Sequence, residues 1–369
     1  MKFLIAPNAF KGTIEAQKAS QIIRYALVEG IPLMDAELCP IADGGDGTCQ
    51  LLAKELAFEE FTFPALNATG KPVLGSIYLN ESQDTALLDM STVSGLKELA
   101  PYEIDAHLSS SYGTGELILQ AQRMGVSHFI VGLGGSATID MGIGILSALG
   151  FRFLDRKGRE IPHFSPGFLS KIAHIQLPMK PIKIDFTCLC DVRNMFFGSE
   201  GAIPVFGQQK GLKPEEFKGF EEVCLNVFEL LQAKSRQELK DQEGFGAAGG
   251  IALGLSAFFP VKMEPGAKYF FQQVDMEQRV RKADWIITGE GKYDMQSAGG
   301  KGSYELLQLA KKYQKKTMLV TSGRVGKESG FDVVIQLQEL DFNSARFKEQ
   351  AEKNLLEGVK KSIMEKIKA

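Results

Sequence analysis

Five short stretches carry the residue types that could do chemistry: NAFK (8–11), DGGD (43–46), GGSAT (134–138), DVRN (191–194) and GEGKYD (289–294). Together they hold two lysines, an arginine, two glycine-rich loops and several carboxylates. Phosphoryl transfer calls for that set. Backbone N–H groups and a cation hold the phosphates, carboxylates bind Mg2+, and one carboxylate orients or deprotonates the attacking hydroxyl. The central run is GLGGSATID (132–140). The apolar residues Phe129, Ile130 and Val131 before it read as a buried parallel strand. Gly132, Gly134 and Gly135 then let backbone N–H groups come close to a ligand. Ser136 or Thr138 is expected to cap the following helix, whose free N–H groups attract anions. There is no GxxxxGK[ST] run, which excludes an ordinary P-loop.

The same residues support other readings. Gly132-x-Gly134-x-x-Ala137 fits the dinucleotide fingerprint, and Asp155 stands 23 positions past Gly132, near the spacing of a ribose contact. That reading gives an NAD-binding oxidoreductase. The plainest reading is a tight turn between packed elements. Asp43 and Asp46 would serve equally as caps of the next helix, Asp191 as a cap or ion-pair member, and Lys11 as a solvated surface lysine.

The elements that must position these stretches alternate in type. Strand-like segments are expected at 2–6, 36–41, 58–63, 76–89, 151–154, 183–191, 283–288, 317–321 and 332–337. Helical segments are expected at 14–29, 49–56, 112–123, 214–235 and 304–313, with a solvated terminal helix over 346–368. Alternating strands and helices at both ends argue an α/β fold with parallel sheets. The expected arrangement is a doubly wound, Rossmann-like domain built from both termini (1–65 plus 278–369) with a mixed α/β domain inserted between (66–277). In such sheets ligands bind at the carboxyl ends of strands, where all five stretches fall. The glycine- and alanine-rich run 245–255 reads better as a close packing seam than as a binding loop.

Composition bounds the possibilities. The chain has 369 residues, 44% hydrophobic and 24% charged, with a net charge of −3. Nucleic acid is not an expected partner of such a balance. No run approaches the ~18 apolar residues of a membrane span. The opening MKFLIAP reads as a first strand, not a secretory signal. Five cysteines form no CxxC pair and the four histidines are scattered, so neither a disulfide framework nor a zinc site is expected. The expected setting is the cytoplasm, with reduced thiols.

Eight blocks in one order carry a resemblance that no single block would: APNAFKGT (6–13), ADGGDGT (42–48), SSYGTGELI (110–118), GLGGSATIDMGIGILSALG (132–150), CDVRN (190–194), GAIPVFGQQKG (201–211), GFGAAGGIALGLSAF (244–258) and ITGEGKYDMQSAGGKG (287–302). The chain resembles the bacterial glycerate kinases, whose members begin with an APDSFKG-like segment. The resemblance covers nearly the whole length. It implies ATP- and Mg2+-dependent phosphorylation of D-glycerate, the 2-hydroxyl favoured, by a monomer or homodimer of two α/β domains with the site in the cleft between them.

On that footing Asp191 is expected as the base, with Asn194 nearby, and Lys11 as the group that meets a phosphate or the glycerate carboxylate. Gly134, Gly135, Ser136, Ala137 and Thr138 become the nucleotide's anion cradle. Asp43, Gly44, Gly45, Asp46, Arg193 and Asn194 are expected on the substrate, and Glu290 and Asp294 on the metal. Lys210 and Lys301 are weaker phosphate candidates. The sequence departs from the family pattern at Asn8 and Ala9, where an aspartate and a serine or threonine are usual, and at Ile139, Met195 and Gln208. Asn8 keeps hydrogen-bonding capacity but brings no charge. A family member inactive for that reason, acting only as a binding module, is the remaining alternative.

Overall fold

A computed structural model describes residues 1–31, 33–235, 238–293, 302–323 and 329–366. In chain order the elements begin with β1 (Lys2–Ile5), α1 (Ala16–Gly30) and β2 (Asp35–Leu38). They continue with α2 (Thr48–Glu55), β3 (Glu59–Leu66), β4 (Pro72–Leu79), β5 (Thr85–Asp89), α3 (Ser91–Ser94), α4 (Tyr112–Met124), β6 (His128–Gly132), α5 (Ile143–Ala148), β7 (Arg152–Leu154), α6 (Phe168–Lys171), β8 (His174–Gln176) and β9 (Asp185–Leu189). Next come α7 (Ala202–Phe206), α8 (Phe217–Lys234), α9 (Ile251–Leu255), β10 (Val261–Glu264), α10 (Gly266–Gln273), α11 (Met276–Lys282), β11 (Trp285–Glu290), α12 (Gly302–Lys312), β12 (Lys316–Thr321), β13 (Val333–Gln336) and α13 (Phe347–Lys366).

The chain divides into two compact units. The first comprises Met1–Asp43 and Pro265–Ala369, the second Gly44–Glu264. The first unit's sheet has the order β13-β12-β11-β1-β2, parallel throughout. Its strands are short apolar runs because a parallel sheet is covered on both faces. Side chains alternate across the pleat. Phe3 and Ile5 therefore join Ile23 and Leu27 of α1 and Leu355 and Val359 of α13 in one core cluster, while Leu4, equally buried, is not part of it.

The second unit's sheet has the order β10-β9-β6-β5-β4-β3. Its first four strands are parallel, and β4 and β3 complete it antiparallel. Because β3 pairs along its whole length with β4, the chain leaves the first unit at Asp43, earlier than the residue 65 that the sequence suggests. β10 is absent from the sequence expectations because its VKME pattern carries too little apolar signal to mark a strand. β7 and β8 form a separate two-stranded sheet.

The run 245–255 is a packing seam. A Cβ on Gly254 in α9 would sit 1.7 Å from the Met141 carbonyl oxygen, and one on Gly249 2.1 Å from that of Thr138. Both obstacles are backbone, so they cannot swing aside. Alanine normally stabilises a helix by ~1 kcal/mol over glycine; here overpacking, typically about 1–3 kcal/mol, wins. Gly254→Ala is expected to lower the denaturation midpoint. A midpoint raised by the substitution would contradict the close approach.

Candidate active site

All parallel strands of the second unit end at one edge, and the expected glycine loops meet there. A Cβ on Gly134 would lie 2.4 Å from the Gly45 carbonyl carbon and 2.5 Å from the Asp46 nitrogen. The DGGD and GLGGSAT runs are thus in backbone contact, possible only because neither position carries a side chain. Gly135 has φ +70, and a Cβ there would press on Ser91 and Asp46 at 3.2 and 3.3 Å. The loop is held from one side by an isolated antiparallel bridge, with Leu96 N–H donating to the Gly135 carbonyl and Ala137 N–H to that of Ser94, at 2.9 and 2.8 Å. Among the described residues, no acceptor pairs with the N–H groups of Gly134, Gly135 or Ser136. Successive open N–H groups with a left-handed glycine among them form an anion-binding concavity.

The expectation that Ser136 or Thr138 caps a helix fails. α5 begins only at Ile143, after Gly142 with φ +69, and is six residues long. Ser136 and Thr138 are instead buried, at 4% and 0% exposure. The dinucleotide reading fails with it. The stretch from Leu133 to Gly142 separates β6 from α5, β7 does not join the β6 sheet, and Asp155 closes a turn by accepting from Arg159 Nε and Nη2 at 3.0 and 2.8 Å.

Two residues brace the loop from below. Lys210 is 4% exposed, and its Nζ donates to Ser136 Oγ and to the Thr138 carbonyl, each at 2.9 Å. Asp140 accepts from Ser111 N–H and Oγ, both at 2.8 Å, and from Gly142 and Gly144 N–H, both at 3.1 Å. One carboxylate thereby ties the start of α4 to the start of α5. Desolvation raises the Asp140 carboxyl above its ordinary value, against the pull of those donors.

The DGGD loop is anchored likewise. Asp46 accepts from Ser91 Oγ and pairs with the Lys97 ammonium. The cap of α2 is neither Asp43 nor Asp46. It is Asp89, at the end of β5, whose two oxygens accept from Cys49 and Gln50 N–H at 3.1 Å each. Burial pushes the Asp89 carboxyl up to about 7 from 3.8, against those two hydrogen bonds. A folded-state value above the unfolded one means the folded protein holds this proton more tightly. The Asp89 contribution to stability is therefore greatest in acid and is lost as pH rises from 3.8 through about 7. Wild type is expected to lose stability relative to Asp89→Asn across that interval in chemical denaturation. A constant difference between the two proteins would show that Asp89 does not titrate there.

Asp191 lies two residues past β9, beside the β6 end that feeds the glycine loop, since Leu133 N–H donates to the Leu189 carbonyl at 3.1 Å. It is half-buried. Its neighbour Cys190 has its thiol pushed up to about 11 by burial, so it stays protonated at neutral pH. Arg193 is exposed and pairs with Glu243 at 3.4 Å, while Asn194 Nδ2 donates to the Glu200 carbonyl at 2.7 Å. Both of these expected substrate residues are engaged by neighbouring loop residues of their own unit.

In the first unit the carboxyl edge gathers the other candidates. Asn8 N–H donates to the Gly289 carbonyl at 2.8 Å, so the chain after β1 stays beside β11. Asn8 Nδ2 donates to Asp43 Oδ2 at 2.9 Å, and Asn8 Oδ1 accepts from Ala9 N–H at 2.7 Å. One of the residues that depart from the family pattern, Asn8, thus hydrogen-bonds Asp43. Lys11 is exposed, and its backbone nitrogen would lie 3.5 Å from a Cβ on Gly291. Glu290, 7% exposed, ends β11. Asp294 and Lys301 lie outside the described residues. Sequence reasoning misses Ser91, Lys97, Asp89 and Asp140; only Ser91, in a small-residue turn directly after a strand, leaves a local signal.

Known proteins match this architecture over nearly its full length. A model of the glycerate kinase family matches residues 3–368. A glycerate kinase of Haemophilus influenzae is 34% identical over 323 residues, covering 87% of this chain and 85% of that protein. The glycerate 2-kinase of Escherichia coli is 33% identical over 318 residues, covering 85% and 83%. The crystal structure of a protein assigned as glycerate kinase 2 from Salmonella typhimurium LT2 superposes with a TM-score of 0.82 at 30% identity, covering 99% of this chain and 98% of that one. The chain is a kinase, and it belongs to the glycerate kinase family.

Proposed function

We propose that the protein transfers the terminal phosphoryl group of ATP to a hydroxyl of D-glycerate, giving ADP and phosphoglycerate, with 2-phosphoglycerate favoured. The observation that carries this reading is the glycine loop: open N–H groups on Gly134, Gly135 and Ser136, braced by Gly45 and Asp46 and underlain by Lys210. Triphosphate oxygens suit those donors. Asp191 takes the proton of the glycerate hydroxyl as that oxygen bonds to the γ-phosphorus and the bond to the ADP oxygen breaks. Lys11 meets a phosphate or the glycerate carboxylate, and Asp43 and Asp46 serve substrate hydroxyls or Mg2+.

Mg2+ fits the residues present. It takes one or two carboxylates and completes its shell with water and substrate phosphates. Glu290 and Asp43, on one sheet edge, are such donors. Among the described residues no group of three or more His, Cys, Asp or Glu side chains converges on a metal-sized site, so water and phosphate oxygens would supply most of the ion's ligands. When bound, Mg2+ neutralises charge on the transferring phosphates.

All five cysteines are free thiols. No helix of the described residues is long and apolar enough to cross a membrane. The test is a coupled assay for ADP release with D-glycerate, ATP and Mg2+. ADP formed well above the acceptor-free blank is expected. No ADP at saturating substrates would favour an inactive relative that only binds.

A further inference from the structure

Beneath the glycine loop lies a cation whose charge has little compensation. Lys210 ends a 3-10 turn at Gln208–Lys210 and crosses the buried interior to reach Ser136 Oγ and the Thr138 carbonyl, both neutral acceptors. Asp140 is the charged group that faces it, but the Asp140 oxygens are taken up by Ser111, Gly142 and Gly144 rather than by the ammonium. Ser136, which Lys210 reaches, directly follows Gly134 and Gly135, whose N–H groups are open among the described residues.

We propose that Lys210 is a proton-linked counter-charge for the anion site: it takes up a proton when a nucleotide's phosphates seat on the loop and releases it when they leave. This rests on the anion-binding role given to the loop, not on glycerate being the acceptor. Burial penalises the charged form and lowers the Lys210 ammonium to about 7, with Asp140 opposing the shift only in part. An anion seated on the N–H groups next to Ser136 favours the charged form and moves the value back up. The proton comes from buffer, and no bond to phosphorus changes. ATP affinity accordingly falls as pH rises above the empty site's value.

The test is isothermal titration of ATP into the protein, in two buffers of different ionisation enthalpy, about one pH unit above the value Lys210 has in the empty site. The nucleotide's own titration cancels on comparing wild type with Lys210→Met. Wild type is expected to take up roughly half a proton more than Lys210→Met does. Lys210→Arg, permanently charged, is expected to bind ATP without the extra uptake, and it carries the comparison if Lys210→Met does not fold. Equal uptake by wild type and the substituted protein, or no ATP binding by wild type, would overturn the proposal. Lysine-dependent uptake with no ADP formed from D-glycerate would uphold it and remove only the proposed acceptor. ADP formation with equal uptake would do the reverse.

Discussion

Gly134→Ala is expected to weaken ATP binding by about 10²- to 10⁴-fold while leaving the protein folded. The added methyl would enter the backbone of the DGGD loop, 2.4 Å from the Gly45 carbonyl carbon and 2.5 Å from the Asp46 nitrogen. Neither atom can rotate away, so the two loops must part. Two or three N–H groups then lose their common aim, and hydrogen bonds to a charged group contribute about 1.5–3 kcal/mol each. Loss of two of them, about 3–6 kcal/mol, gives the stated range. The cost to stability is smaller, on the order of the 1–3 kcal/mol of an overpacked contact, within the ~5–15 kcal/mol that holds a domain together. Calorimetric ATP titration alongside thermal unfolding separates the two. An affinity within about threefold of wild type, well short of one tenfold step of 1.4 kcal/mol, would mean that the phosphates bind elsewhere. Gly135→Val attacks the same cradle through the φ of +70 and the contact with Ser91.

Asp191→Asn is expected to cut turnover by roughly 10²-fold or more, the usual scale for losing a general base. Asparagine preserves shape and hydrogen bonding, so the ATP affinity and the unfolding midpoint should stay near wild type. That split distinguishes proton transfer from architecture. Loss of folded protein in proportion to loss of activity would make Asp191 structural. The adjacent thiol is no substitute base, since Cys190 is held near 11, far above working pH.

The strand-terminal loops are legible in the sequence because parallel strands read as short apolar runs, and a glycine, carboxylate or lysine directly after such a run stands at the edge where ligands bind. The packing seam of 245–255 is legible too, because small residues in a helix-like run leave room for close approach. What holds the loops is not. Asp89 reaches α2 across 39 or 40 positions, Asp140 reaches Ser111 across 29, and Lys210 reaches Ser136 across 74. Such partnerships leave no trace in local spacing. By its sequence the glycine loop leads straight into a helix whose free N–H groups attract anions. In the structure the chain runs from Leu133 to Gly142 before α5, with Lys210 filling the place where a helix terminus would otherwise supply positive character. Asn8, a lost charge by sequence, holds Asp43.

The most direct measurement is the fate of phosphorus and carbon together. The protein is incubated with ATP, Mg2+ and D-glycerate and followed by 31P and proton NMR. The expected result is a new phosphomonoester whose phosphorus couples to the proton on C2 of glycerate, matched by ADP. Unaltered glycerate signals, with ATP intact or merely hydrolysed to inorganic phosphate, would contradict it.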